Sequence, residues 1–235
     1  MKKLDENYTI LAGVDGCSKG WCVVLGFLQS SHFFESERVI FCQDITEVFS
    51  LGAEIYAIDM PIGLPNEHRP GGRECDRLAR KLLGPRQASI FTPPPRKAFS
   101  FERYKDLYQS GLKLSRQSFH ILPKIKELDY YLRKCRPKNI YETHPELVFF
   151  RLYGKSLPSK HTPLGVKLRF KLLLRTSLFS CLEENWNSSR KVFRLDVLDA
   201  YACLLAAKLI YENKAQKIPE KTTKDAFGLE MAIWF

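Results

Sequence analysis

Apolar positions in the first sixty residues fall in short runs and not in helical stripes. Residues 9–14 (TILAGV) and 21–27 (WCVVLGF) are two such runs, separated by Gly16, Cys17, Ser18, Lys19 and Gly20, a pattern that predicts a β-hairpin. Residues 38–42 predict a third strand, and Asp44 is placed to cap a short helix through Phe49 that Gly52 closes. Residues 55–58 (IYAI) predict a buried strand ending on Asp59. The order is therefore three strands, a helix and a strand.

Beyond Asp59 the pattern changes. Pro61, Gly63, Pro65, Pro70, Gly71 and Gly72 predict a loop, and residues 74–83 a helix with Leu78, Leu82 and Leu83 on one side, stopped by Gly84-Pro85. Residues 89–97, with Pro93, Pro94 and Pro95, predict an irregular stretch, followed by helices over 101–112 and 115–134. Residues 60–137 thus read as a mostly helical insertion or cap within one domain spanning 1–235. Residues 139–142 predict another strand, and His144-Pro145 opens a helix to about 153. Helical spacing covers 163–186 and 196–213, and the tail at 228–235 predicts a final strand or extended segment. The fold class expected is α/β.

Composition narrows the classes. The 235 residues, 45% of them hydrophobic, suffice for one large core. Seven cysteines without a C-x-x-C pair predict scattered reduced thiols, and with them a cytoplasmic location. Lys2 and Lys3 are followed by Asp5 and Glu6 where a signal peptide needs apolar residues, and no run approaches the length of a membrane span. A formal net charge of +11 suggests either a polyanionic partner, for which nucleic acid is the commonest candidate, or simply a soluble protein of a basic proteome.

Candidate chemistry is acidic. Asp15 ends the first predicted strand and Asp59 the buried one, where ligands collect in α/β sheets. Asp196 and Asp199 share one face at the start of the last helix. Carboxylates gathered in this way repel one another, and a hard divalent cation, magnesium or manganese, would relieve that repulsion. Each also has an ordinary structural reading: Asp15-Gly16 as a turn, Asp59 as a strand terminus, Asp196 as a helix cap. Glu142, at the end of a short strand, is a fifth ligand candidate; Glu146 fits a first helical turn. His144 is either a base or a satisfied loop histidine. Arg73, Arg77 and Arg86 mark a basic segment with Phe91 nearby for base stacking, and Lys155, Lys160, Lys167, Arg169 and Lys171 a second cluster.

These residues resemble those of the domain-of-unknown-function family 429, a group of predicted RNase H-like nucleases. The matching pieces are GVDG (13–16) with Gly20-Trp21, IDMPIGLP (58–65), CDRLARKLLG (75–84) and SIFTPPPR (89–96), then LSRQ (114–117), PKIKELD (123–129), YETHPE (141–146) and DVLDA (196–200). The resemblance implies an RNase H-like core in which acids of the first strand, the fourth strand and a late helix bind catalytic metals. Here these become Asp15, Asp59 and the Asp196/Asp199 pair, with Glu142 as a further acid; Asp15, Asp59 and Asp199 are the metal ligands expected. Leu195 stands where the family often has another aspartate. Arg96 and Lys124 lie in matching motifs as candidate substrate contacts. The function expected is a divalent-metal-dependent nuclease. Two alternatives are an ATP-dependent phosphotransferase on the related actin-like fold, with Ser18-Lys19 meeting phosphates, and a non-catalytic nucleic-acid-binding protein.

Overall fold

A computed structural model describes residues 8–29, 33–112 and 114–235. Lys2, Lys3, Asp5 and Glu6, read above against a signal peptide, lie outside the described residues. The first strands are β1 (Thr9–Cys17), β2 (Gly20–Leu28) and β3 (Ser36–Cys42), then come helix α1 (Ile45–Ser50) and strand β4 (Ile55–Asp59). Strand β1 pairs antiparallel with β2 and parallel with β4, β2 pairs antiparallel with β3, and β4 pairs parallel with β5 (Ile140–Glu142). The five-stranded mixed sheet has the order β3-β2-β1-β4-β5 and is consistent with the RNase H-like core expected. Strand β2 is buried along its whole length, which is why its sequence is a continuous apolar run and not an alternating one.

Between β4 and β5 lie α2 (Glu74–Leu83), 3-10 turns at Gly84–Ser89 and Arg96–Ser100, α3 (Tyr104–Gln109), α4 (Arg116–His120) and α5 (Leu122–Cys135). The helix expected over 115–134 is two helices. Pro123 is tolerated only in a first turn, where its missing N–H is not needed, so the chain restarts at Leu122. After β5 come α6 (Pro145–Tyr153), α7 (Pro163–Arg175), α8 (Leu182–Ser188) and α9 (Arg194–Tyr211). The helix expected over 163–186 breaks at Ser177, whose φ of 53° is left-handed. The tail forms β7 (Glu230–Trp234), antiparallel to β6 (Lys217–Lys224). Strand β6 was invisible in the pattern because KIPEKTTK carries four charges and little apolar surface.

The sheet is covered on both faces. Helices α2, α6, α7 and α9 share one apolar cluster with Leu11, Val24 and Ala57, while α1 and α5 pack with Val14, Val23 and Ile58 on the other. Helix α9 crosses β1 at Gly13, where a Cβ would lie 2.1 Å from both the Ala200 carbonyl oxygen and the Leu204 amide nitrogen. Only glycine permits backbones to approach so closely, and this contact sets where the first turn of α9 comes to rest. Among the described residues no helix is long and apolar enough to cross a membrane, and all seven cysteines are free thiols.

Candidate active site

Asp15 and Asp59 are register partners across the parallel β1/β4 pair. Side chains alternate along a strand, so Gly13 and Asp15 share the face that α9 covers, as do Ala57 and Asp59. The close crossing at Gly13 then brings Asp196 and Asp199, one turn apart on α9, over the same strand ends. All four aspartates line one cavity of about 680 Å³. Asp15 does not end its strand as expected. Strand β1 continues to Cys17, and the turn contracts to Ser18 and Lys19. Gly20 makes this possible: its φ is +122°, and a Cβ there would stand 2.1 Å from the Cys42 carbonyl oxygen.

Charge is crowded on this floor. Burial, then the charges of Asp199 and Asp59, hold the Asp15 carboxyl well above its ordinary range. Burial first and Asp199 second push Asp59 up to about 7, and the same two causes push Asp196 to about 6. One ammonium opposes them: Lys160, just before α7, contacts the buried Asp199 carboxylate, whose charge holds the lysine protonated well above its usual range.

Lys160 is positioned by a residue in the core. Arg169 of α7 is wholly buried and donates to the Pro158 carbonyl at 2.8 Å and to both Glu146 carboxylate oxygens at 2.6 and 2.7 Å. One guanidinium therefore ties α6, α7 and the loop bearing Ser159, Lys160 and His161, all of which face the cavity. Glu146 lines the cavity as well and helps to raise Asp59. It reads in sequence as an ordinary first-turn acid, and nothing local in KLRFK distinguishes a core arginine from a solvated one.

His144 lines the cavity with both ring nitrogens engaged. Nδ1 accepts from the Glu146 amide at 3.2 Å, which leaves Nε2 to donate to the Ser89 carbonyl at 3.2 Å. Burial lowers its pKa, so it is a neutral clamp between α6 and residue 89 and not a free base.

Several candidates lie elsewhere. Glu142 turns away from the large cavity to meet Arg73 at 2.6 and 2.7 Å and the Ile62 amide at 2.7 Å. Arg73 also binds Asp76 and is itself buried, so Glu142 and Arg73 are paired with each other outside the large cavity. A buried carboxylate needs such a partner, and α2 supplies it. Arg96 lies between Asp129 and Asp225 with Phe227 4.5 Å from its guanidinium, joining α5 to the β6–β7 turn. Arg77 is exposed, outside the large cavity, and donates to the Gly72 carbonyl at 2.7 Å. Arg86 and Lys124 do line the cavity. Lys124 donates to the Gly20 carbonyl at 2.6 Å across the Trp21 ring, leaving two of its three N–H groups available.

The cavity thus has an acidic floor and a basic rim. Four carboxylates supply hard oxygen donors, and burial followed by mutual repulsion holds Asp15, Asp59 and Asp196 above their ordinary range; such a set fits magnesium or manganese by donor chemistry. As the side chains stand, with Lys160 against Asp199, no three His, Cys, Asp or Glu groups among the described residues close on a common point. The donors fit such a cation if these side chains turn inward.

A family model described as Protein of unknown function (DUF429) matches residues 13–224, from the glycine under α9 to the end of β6. No curated protein and no solved structure matches the chain.

Proposed function

The chain belongs to the family described as Protein of unknown function (DUF429), and from that footing we propose that it is a divalent-metal-dependent phosphodiesterase acting on nucleic acid. The observation that carries this reading is the convergence of Asp15, Asp59, Asp196 and Asp199 on one cavity at the carboxyl ends of two parallel strands. Asp15, Asp59 and Asp199, with Asp196, would hold magnesium or manganese. Such a cation supplies Lewis-acid charge, making water more acidic and drawing electron density from a phosphoryl group.

The chain's own residues would do the rest. Lys124 and Arg86, which line the cavity, would meet the non-bridging phosphate oxygens, where fixed positive charge favours the transition state. Lys160, paired with Asp199, offsets part of the floor's charge. Arg169 holds Glu146 and the Lys160 loop in register. A net charge of +11 suits a polyanionic substrate.

The test is to incubate the protein with magnesium or manganese and labelled branched DNA, single-stranded DNA, RNA and an RNA–DNA hybrid, with Asp15→Asn and Asp59→Asn alongside after a check of folding. Metal-dependent cleavage abolished in both variants supports the reading. Absence of cleavage together with absence of metal binding by calorimetry overturns it and leaves a nucleic-acid-binding protein on this fold.

A further inference from the structure

The cavity's size and its fixed wall narrow the substrate. We infer, on the footing of the phosphodiesterase reading, that the phosphodiester cut here belongs to a nucleotide-sized unit with a free end, either a dinucleotide or the terminus of a single strand. A volume of about 680 Å³ lies within the range of small-ligand sites. As a sphere it is about 11 Å across, no wider than the major groove of a duplex alone at about 12 Å. Of the four acids, Asp15 is 8% and Asp199 2% exposed, while Asp59 and Asp196 are half-buried. A phosphate inside a duplex could reach them only if its paired and stacked neighbours entered too.

One wall of the cavity comes from the segment between β4 and β5 and is packed into the structure. Arg80 donates from Nε to the Ile90 carbonyl at 2.9 Å and from Nη2 to the Thr92 hydroxyl at 3.1 Å. His144 holds the Ser89 carbonyl from the other side, and Ile90 is buried in the cluster that contains α9. The wall is therefore tied to α2, to α6 and to the core cluster.

That wall also offers groups without partners. Arg86 Nε and Ser89 Oγ, on two residues that line the cavity, are buried with no hydrogen-bond partner among the described residues, and a turn of either side chain would offer it to a ligand's oxygens. Phe91 lies beside them on the cavity lining, where a base could stack. A terminal nucleotide can enter alone, with its phosphate toward the floor and its base along the wall. One water is consumed per cut. Its oxygen bonds to phosphorus, the ester P–O bond breaks, and the sugar oxygen leaves as an alcohol carrying a proton from that water.

Four substrates test this with magnesium or manganese: a dinucleotide, an end-labelled linear single strand, the same strand closed into a circle, and a covalently closed duplex circle. The expected result is cleavage of the dinucleotide and release of mononucleotides from the linear strand, with both circles intact. Scission of either circle at a rate near that of the linear strand overturns the inference and leaves the phosphodiesterase reading standing. Inactivity on all four with cleavage of the branched, RNA or hybrid substrates overturns the inference alone. Inactivity on both sets without metal binding overturns the phosphodiesterase reading, and the nucleotide-sized pocket then stands on a thermal shift with the dinucleotide that is absent with the duplex circle and falls without one. Arg86→Met is expected to weaken dinucleotide binding by about tenfold to a hundredfold. Arg77→Met, outside the cavity, is expected to leave it unchanged, and equal effects of the two would count against the site.

Discussion

Asp59→Asn is expected to stabilise the metal-free protein at neutral pH while removing a ligand. The Asp59 carboxyl is pushed up to about 7 by burial and by Asp199, against an ordinary value of 3.8. Below the ordinary value both folded and unfolded chains carry the proton, and the position is neutral. As pH rises toward 7 the unfolded chain releases its proton while the folded chain keeps it, so folding is progressively opposed. An acid shifted this far costs about 4 kcal/mol at pH 7, and the cost levels off above it. Asp59 retains some solvent access through the cavity and Lys160 offsets part of the repulsion, so a net gain of about 1–2 kcal/mol is the expectation for asparagine. For a chain of this length that is a rise of about 2–8 °C in melting temperature. Urea unfolding in a chelator at about pH 4 and about pH 8 reads both stability and slope. The variant should match the wild type at the lower pH and exceed it at the higher. A variant less stable than wild type at the higher pH, or a gain that is the same at both, would refute the argument that repulsion and burial strain this floor.

Adding magnesium or manganese at a hundredfold excess over its dissociation constant should stabilise the wild type by about 2.7 kcal/mol, and Asp15→Asn and Asp59→Asn should lose that shift in a thermal melt. Gly13→Ala places a methyl group against the α9 backbone and should cost about 3 kcal/mol or more in urea unfolding, or prevent soluble expression; a near-neutral effect would mean that α9 can move away from β1. Arg169→Met leaves Glu146 buried and unpaired and should cost about 3–5 kcal/mol. Adding Glu146→Gln to it should recover part of that loss, and strict additivity in the double-mutant cycle would contradict the pairing. Arg96→Met should likewise destabilise through Asp129 and Asp225 without altering dinucleotide binding, because Arg96 pairs with those two carboxylates outside the cavity lining.

The strands of the sheet core were legible in the sequence because each buries its own apolar run: TILAGV, WCVVLGF and IYAI announce themselves locally. The acids of the floor were legible for a related reason, since a carboxylate beside such a run or at the head of an apolar helix stands out against its neighbours. Strand β6 was not, because its partner is a distant tail and its own residues are mostly polar. Which charges face the cavity was decided by tertiary structure alone. Glu142 and Glu146 are four residues apart in YETHPE, yet one is bound to Arg73 outside the cavity and the other lines it. Arg73, Arg96 and Arg169 resemble surface cations in sequence, and each becomes structural only when a carboxylate from another element arrives to pair with it: Glu142 for Arg73, Asp129 and Asp225 for Arg96, and Glu146 for Arg169. A charged side chain's role depends on the partner that offsets its desolvation, and that partner is set by the packing of the whole chain and not by the residues beside it.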